Sequence, residues 1–244
     1  MTSGRPLFMF DFDRTILCED SDVGVPQSLG ATSALEVLKT YRFGDDWTRI
    51  VDEALLAMQT REGKSRDDIA AAARGQRAFP ETLEALALVA AHADAHIVSD
   101  ANDVYIGSFL AAHGLDRGFK VWTNPTFVDE AGRLRVRPFR AAGAAPACHD
   151  CPANLCKAEV VRQMLAQAPA RPRFVAYAGD GRNDFHPATV LSAADHVLVR
   201  NDESEPRALG LFHAIKRSPG SVRASVHYWK DGRDLLRVVR ELLL

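Results

Sequence analysis

The run Leu7-Phe8-Met9-Phe10 is apolar at every position and leads at once into Asp11-Phe12-Asp13. A strand with one wet face alternates apolar and polar residues, whereas a strand inside a parallel sheet is covered on both faces and reads as a continuous apolar run. The pattern therefore predicts a buried strand over Leu7–Phe12, with two carboxylates at its C-terminal end. Further strands are expected at Ala95–Val98, ending at Ser99-Asp100, at Lys120–Thr123, at Arg173–Ala178, ending at Gly179-Asp180-Gly181, and at His196–Val199. They alternate with helical patterns at Pro80–His92, at Val104–His113, from an Asn154 cap through Gln167, and at Arg233–Leu244. Thr126–Val136 reads as a hairpin turning at Asp129–Gly132.

Alternating strands and helices imply a three-layer, Rossmann-like α/β core built on a parallel sheet. Ligands of such sheets bind beyond the C-terminal strand ends. Here those ends carry Asp11 and Asp13, Ser99 and Asp100, and Asp180 and Asp184. Between the first two strands, residues 23–77 show helical patterning at Ser33–Tyr41, Trp47–Met58 and Arg66–Arg74 and no convincing strand. The expected organisation is a core of residues 1–22 and 78–244, with a small helical cap, 23–77, inserted after the first strand. Tyr41, Phe43 and Trp47 in the insertion read as its own small core, or as a cover for a cationic or ring-bearing substrate.

Composition narrows the partners. Hydrophobic residues make up 47% of the chain, enough to bury a core. Lysine and arginine number 30 against 32 acids, a net charge of −2, so no basic field exists to hold nucleic acid and no polybasic run suits an anionic membrane. The apolar run at Leu7–Phe10 is too short for a signal-peptide core, and four cysteines in 244 residues do not resemble a secreted disulfide framework. A cytoplasmic enzyme acting on a small molecule is the expectation; oligomeric state is not readable.

The acids at the strand ends suggest chemistry. A carboxylate such as Asp11 can attack phosphorus and form an acyl phosphate, dividing one hard hydrolysis into two easier steps. A second carboxylate, Asp13, can protonate the leaving oxygen and later activate water. Asp180 and Asp184, in a glycine-flanked loop, suit Mg²⁺, which prefers oxygen ligands. Ser99 can donate to a phosphate oxygen, and Lys157, at a helix start, offers a point charge to phosphate. Taken singly, each has a plainer reading: a strand end with a helix cap, a solvated acidic turn, a capping serine, a surface lysine.

In this order and on these elements, the motifs resemble those of the haloacid-dehalogenase phosphatases. The segments Ser99-Asp100-Ala101-Asn102, Trp122-Thr123-Asn124-Pro125, Cys148 to Lys157, Gly179 to Phe185 and Ser221–Trp229 further resemble the branch of phosphoethanolamine/phosphocholine, pyridoxal-phosphate and thiamine-monophosphate phosphatases. The likeness covers roughly residues 5–22 and 78–244. It implies Asp11 as nucleophile and Asp13 as general acid and base. It also implies Mg²⁺ held by the Asp11 carboxylate, the Asp13 carbonyl and Asp180, with Asp184 supporting the metal shell and Lys157. Ser99 and Lys157 would hold phosphate, and Asp22 and Asp100 would bear on substrate choice. Arg14 departs from the branch, whose members often carry glycine or an acid there. It could pair with Glu19, Asp20 or Asp22, or point at the substrate. A phosphoserine-type phosphatase, gripping a carboxylate through Arg42 or Arg49, and a catalytically silent binding protein on the same fold are the alternatives. Cys148, His149, Cys151 and Cys156 have the look of a zinc knuckle lacking its second pair; a reduced, packed loop is the expected state.

Overall fold

Side chains alternate across a strand, and in the first strand that alternation sorts four apolar residues into two different cores. In the computed structural model, which describes residues 4–42, 45–140, 154–168 and 170–244, strand β1 (Leu7–Phe10) sends Phe8 and Phe10 to one face and Leu7 and Met9 to the other. Helices α1 (Ser21–Ser28), α2 (Thr32–Leu38), α3 (Trp47–Arg61) and α4 (Arg66–Arg74) follow. Next come α5 (Pro80–His92), β2 (Asp94–Asn102), α6 (Asp103–Ala112), β3 (Lys120–Asn124), β4 (Thr126–Val128) and β5 (Leu134–Val136). The chain ends with α7 (Lys157–Gln167), β6 (Val175–Gly179), α8 (Phe185–Val190), β7 (His196–Arg200), α9 (Gly210–Arg217), β8 (Ser225–Trp229) and α10 (Gly232–Leu243).

Six strands form one parallel sheet in the order β3-β2-β1-β6-β7-β8. Phe8, Phe10, Ala176 and Ala178 pack with α5, α6 and α10 through Leu86, Phe109 and Leu235. Leu7, Met9, Val175 and Tyr177 pack with α7 and α9 through Val161 and Leu211. The result is the expected three-layer α/β core. From β1 the chain builds β2 and β3 on one side, then crosses to β6 on the other. Sheets that reverse direction in this way gather their ligands beyond the C-terminal strand ends at the reversal, here the ends of β1 and β6.

The helices α1–α4 share a separate apolar cluster, including Val25, Ile50, Leu55, Met58 and Ile69, closed from the core side by Tyr105, Leu134 and Val136. Polar bonds fasten α3 to the hairpin β4–β5, whose turn uses Gly132 at φ 78°. Gln59 accepts from Leu134 N (2.7 Å) and donates to Leu134 O (2.8 Å). Asp52 accepts from Val136 N (3.0 Å) and pairs with Arg135. Asn154 Nδ2 donates to Thr48 Oγ1 (2.9 Å).

Several local expectations need correction. Strand β1 stops at Phe10, and β2 runs past Ser99 to Asn102. Helix α1 was not foreseen because Gly24 and Pro26 dilute its helical signal; Asp20 caps it, accepting from Asp22 N at 3.0 Å. The expected core–cap boundary at residues 22 and 23 falls inside this helix. Asn154 does not cap α7: Cys156 occupies the cap position without a side-chain bond, while Asn154 is engaged by Thr48 and Leu155. Strand β8 and helices α8 and α9 were also missed, although Leu211, Ala214 and Ile215 give α9 a readable buried face. Phe43, Cys148, His149 and Cys151 lie outside the described residues. Cys156 is buried.

Candidate active site

Asp11 follows β1 directly, its N–H donating to Ala178 O of β6 at 2.9 Å. The sheet thus positions the backbone that carries the candidate nucleophile. Its carboxylate Oδ1 accepts from Phe12 N (2.7 Å) and meets Lys157 Nζ at 2.8 Å. Lys157, the first residue of α7, reaches inward and also meets Asp184 Oδ1 at 2.8 Å. All three side chains are sealed from solvent.

Asp184 is held on every side. Oδ1 also accepts from Tyr177 Oη (2.6 Å), and Oδ2 accepts from Asp180 N (3.1 Å) and Gly181 N (2.9 Å). Gly179 is required here, because a Cβ at that position would come within 2.6 Å of the Asp184 carboxyl. Asp180 Oδ1 accepts from Thr15 Oγ1 at 3.2 Å. Ser99 is fully buried, and its Oγ accepts from Ala101 N (3.2 Å), leaving its hydroxyl proton to donate elsewhere. Asp100 Oδ2 accepts from Asn183 Nδ2 at 3.2 Å, a cross-link between the β2 and β6 ends.

Carboxylate oxygens of Asp11, Asp180 and Asp184 lie within 4.8 Å of one another. Burial and mutual repulsion act on this group. Burial raises the Asp11 carboxyl well above its usual range against the pull of Lys157, with Asp184 and Asp180 adding to the rise. Burial and Asp184 push Asp180 up to about 7. For Lys157, burial opposes the ammonium, but Asp11 and Asp184 outweigh it and keep it charged. Three acids outnumber the one ammonium in contact with them, with the Arg14 and Arg200 guanidiniums acting on Asp180 from farther off, and an all-oxygen donor set of this kind suits a hard divalent cation.

Asp13 lies on the other side of the loop. Its Oδ1 accepts from Ser21 N (2.6 Å), and burial, Asp20 and Asp22 together raise it well above an ordinary carboxyl. Asp22 is buried too. Its Oδ2 accepts from Trp47 Nε1 of α3 (2.9 Å), and Oδ1 has no hydrogen-bond partner among the described residues. Arg14 resolves its three sequence options in favour of Asp20, at 2.9 Å.

The structure thus joins Lys157 to Asp11 and Asp184, sets a carboxylate oxygen of Asp180 within 4.8 Å of those two acids, and places Asp13, Asp20 and Asp22 together a short distance along the chain. Sequence reasoning missed Tyr177 and Arg200 as partners of the site, and offered Trp47 as insertion core or substrate cover without its bond to Asp22. Tyr177 reads as one more apolar strand residue. Arg200, at the end of β7, donates to Arg14 O (2.6 Å) and braces the loop from behind. Two surface clefts, of about 350 and 270 Å³, border residues 17–28 and 75–80 and the Arg200–Glu205 segment. Neither is lined by Asp11, Asp13 or Asp180, so neither holds the reacting group.

A parallel sheet whose switch point carries two loop acids, a buried lysine and a second acidic loop is the arrangement of the haloacid-dehalogenase fold. Sequence comparison gives the family: the Putative Phosphatase profile matches residues 6–243, and the chain belongs to that family. It is 32% identical to the thiamine phosphate phosphatase-like protein of Arabidopsis thaliana, over 97% of this chain and 95% of the relative. It is 31% identical to the phosphoethanolamine/phosphocholine phosphatase of Homo sapiens, over 98% of this chain and 91% of that one. Among solved structures, the phospho-aspartyl intermediate analogue of a phosphoserine phosphatase superposes with a TM-score of 0.59 at 13% identity, covering 97% of this chain and 99% of the other. That likeness shows the fold. The family is one of phosphatases.

Proposed function

We propose that this protein is a Mg²⁺-dependent phosphatase that hydrolyses a small phosphate ester through an aspartyl phosphate on Asp11. The observation that carries the reading is the buried Lys157 bridge between Asp11 and Asp184, at 2.8 Å to each. An ammonium beside the nucleophile lets an anionic carboxylate approach an anionic phosphate. Asp11 attacks phosphorus, and the bond from phosphorus to the alcohol oxygen breaks. Asp13, whose raised affinity for protons suits an acid, gives its proton to that oxygen. Water then attacks the aspartyl phosphate while Asp13 takes a proton from it, releasing inorganic phosphate and restoring Asp11. Ser99 and Lys157 orient the phosphate.

Asp11, Asp180 and the Asp13 carbonyl would hold Mg²⁺, with Asp184 supporting Asp180 and Lys157. The ion when bound neutralises the phosphate and the nucleophile. Residues 23–77 act as the cap that shields the reaction from bulk water. Asp22 and Asp100 bear on substrate choice. A buried carboxylate oxygen without a partner on Asp22 favours a cationic group on the leaving alcohol. Phosphoethanolamine, phosphocholine, pyridoxal phosphate and thiamine monophosphate form the candidate set. A cytoplasmic location belongs to the same proposal, supported by the small cysteine count; among the described residues no helix is long and apolar enough to cross a membrane.

The phosphoserine-type alternative in its first form loses support. Arg42 donates to the carbonyls of Lys39, Thr40 and Tyr41, and Arg49 pairs with Glu53. The silent alternative is disfavoured by the complete set of Asp11, Asp13, Ser99, Lys157 and Asp180. The test is phosphate release from the candidate esters with Mg²⁺ and with chelator. Turnover is expected with Mg²⁺ only and is lost in Asp11→Asn; full turnover in that variant would overturn the covalent route.

A further inference from the structure

Arg14 is built into the site more firmly than a surface cation would be. Its backbone is left-handed at φ 54°, a conformation that is strained for a residue with a side chain. Both of its peptide groups are fixed: the N–H donates to Glu19 O (3.1 Å), and the carbonyl accepts from the buried Arg200 (2.6 Å). The side chain points into the acid cluster, ion-paired to Asp20 Oδ2 at 2.9 Å, within the electrostatic reach of Asp180, Asp13 and Asp22. Asp20 Oδ1 in turn accepts from Asp22 N at 3.0 Å. Arg14, Asp20 and Asp22 therefore form one contiguous surface beside Asp13.

That surface is where the leaving group must go. If Asp13 protonates the alcohol oxygen, the rest of the alcohol lies on the Asp13 side of the phosphate. Two features there lack a fully committed partner. Asp22 Oδ1 is buried with no hydrogen-bond partner among the described residues, and burial with Asp20 raises that carboxyl well above its usual range, a rise that a cationic substituent beside it would reverse. Arg14 makes a single ion pair among the described residues, although its planar fork can serve two carboxylate oxygens or bind a second anion.

We propose that Arg14 is a specificity-determining residue that binds an anionic substituent on the leaving alcohol, next to a cationic substituent held by Asp22. The preferred substrate class is then a phosphate ester whose alcohol is zwitterionic, carrying an ammonium and a carboxylate or similar anion. This rests on the phosphatase reading above. It differs from the earlier phosphoserine-type alternative in placing the anion on the nucleophile loop and not on the cap arginines. It also reconciles Arg14 with Asp22: each charge faces its own half of the ligand, with Asp20 holding the guanidinium in place until the ligand arrives.

A matched pair of substrates isolates the effect, because O-phosphoserine and O-phosphoethanolamine differ only by a carboxylate. The readout is the ratio of kcat/KM for the first over the second, with Mg²⁺ present. The wild-type ratio is expected to exceed one. It should fall at least tenfold in Arg14→Asn, chosen because asparagine tolerates the left-handed backbone, and mostly through KM. Arg14→Lys should restore part of it, and Asp20→Asn, which releases the guanidinium, should raise it. The Asp20 variant keeps the idea testable if the Arg14 variants do not fold. A ratio below one in the wild type, or one unmoved by these changes, overturns the Arg14 assignment while leaving the phosphatase intact. Inorganic pyrophosphate is the third arm: turnover faster than that of O-phosphoserine and insensitive to Asp22→Asn would mean an anion-only site and overturn the zwitterionic class. No phosphate release from any of the three by wild type overturns the zwitterionic class; if pyridoxal phosphate, phosphocholine and thiamine monophosphate are untouched as well, the phosphatase reading falls with it.

Discussion

Lys157 Nζ lies 2.8 Å from Asp11 Oδ1, with both side chains shut away from solvent. A buried ion pair of this kind is costly to break, because the surviving charge is stranded without water. Lys157→Met should therefore do two things. It should destabilise the fold by about 3–5 kcal/mol, and it should cut kcat far more than a surface lysine would. Urea unfolding with and without the substitution, beside steady-state kinetics, checks both. A variant with wild-type stability would show that Asp11 and Asp184 are compensated in some other way.

The acid group also sets how metal binding responds to pH. Asp180 is pushed up to about 7 by burial and by Asp184, so near neutrality part of the population carries a proton there. A carboxylate must be unprotonated to bind Mg²⁺. The Mg²⁺ concentration giving half-maximal activity is thus expected to fall as pH rises from about 6 to 8, and to flatten beyond. Titrating activity with Mg²⁺ at several pH values tests this; a half-saturation constant that does not move would place the titrating group elsewhere.

Trp47 Nε1 donates to Asp22 Oδ2 at 2.9 Å and links the first turn of α3 to the acid on α1. Trp47→Phe keeps a ring in the gap but removes the donor. Leaving a buried acceptor without its donor costs about 1–3 kcal/mol, and a loss within that range is expected in denaturant melts. The ring itself packs edge-on against Tyr41, with centroids 5.2 Å apart, and that contact should survive. The same variant leaves Asp22 less constrained, so KM for amine-bearing esters should change more than KM for neutral ones.

His96 supplies a stability test far from the chemistry. It is buried on β2, where its Nδ1 accepts from Trp122 Nε1 at 3.0 Å, and desolvation with the nearby Lys120 lowers it to about 4. In the unfolded chain a histidine titrates near about 6.5. The unfolded state therefore takes up the proton first as pH falls. This contribution is complete above about 6.5 and is lost progressively between there and about 4. Unfolding free energies measured at pH 7 and pH 5 should show this slope in the wild type and a weaker one in His96→Gln.

Much of the site was legible because parallel-sheet chemistry writes itself locally. An apolar run that ends in acids announces both a buried strand and the place where ligands gather, so the strand-end positions of Asp11, Asp13 and Asp180 were legible locally, while their expected roles came only from the motifs taken together and from the family resemblance. Lys157 was legible only through its place in a motif, since nothing local shows that a lysine at a helix start will be buried. Trp47 was read first as packing for the insertion; its indole nitrogen reaches Asp22 because α3 folds back across α1, a contact 25 residues apart in the chain. Tyr177 and Arg200 carried no signal, because one looks like strand filler and the other like a charged strand end.

By itself the sequence determined the α/β alternation, the strand ends and the residue types at them, since each follows from periodicity and backbone preference over a few neighbours. Only the tertiary structure decided which charges meet. It joined Asp11 to Lys157 and Asp184, and Arg14 to Asp20 in place of Glu19 or Asp22. It also left one oxygen of Asp22 buried without a partner among the described residues. Coulombic pairing and desolvation depend on distances between elements far apart in the chain, and those distances exist only once the sheet has closed around them.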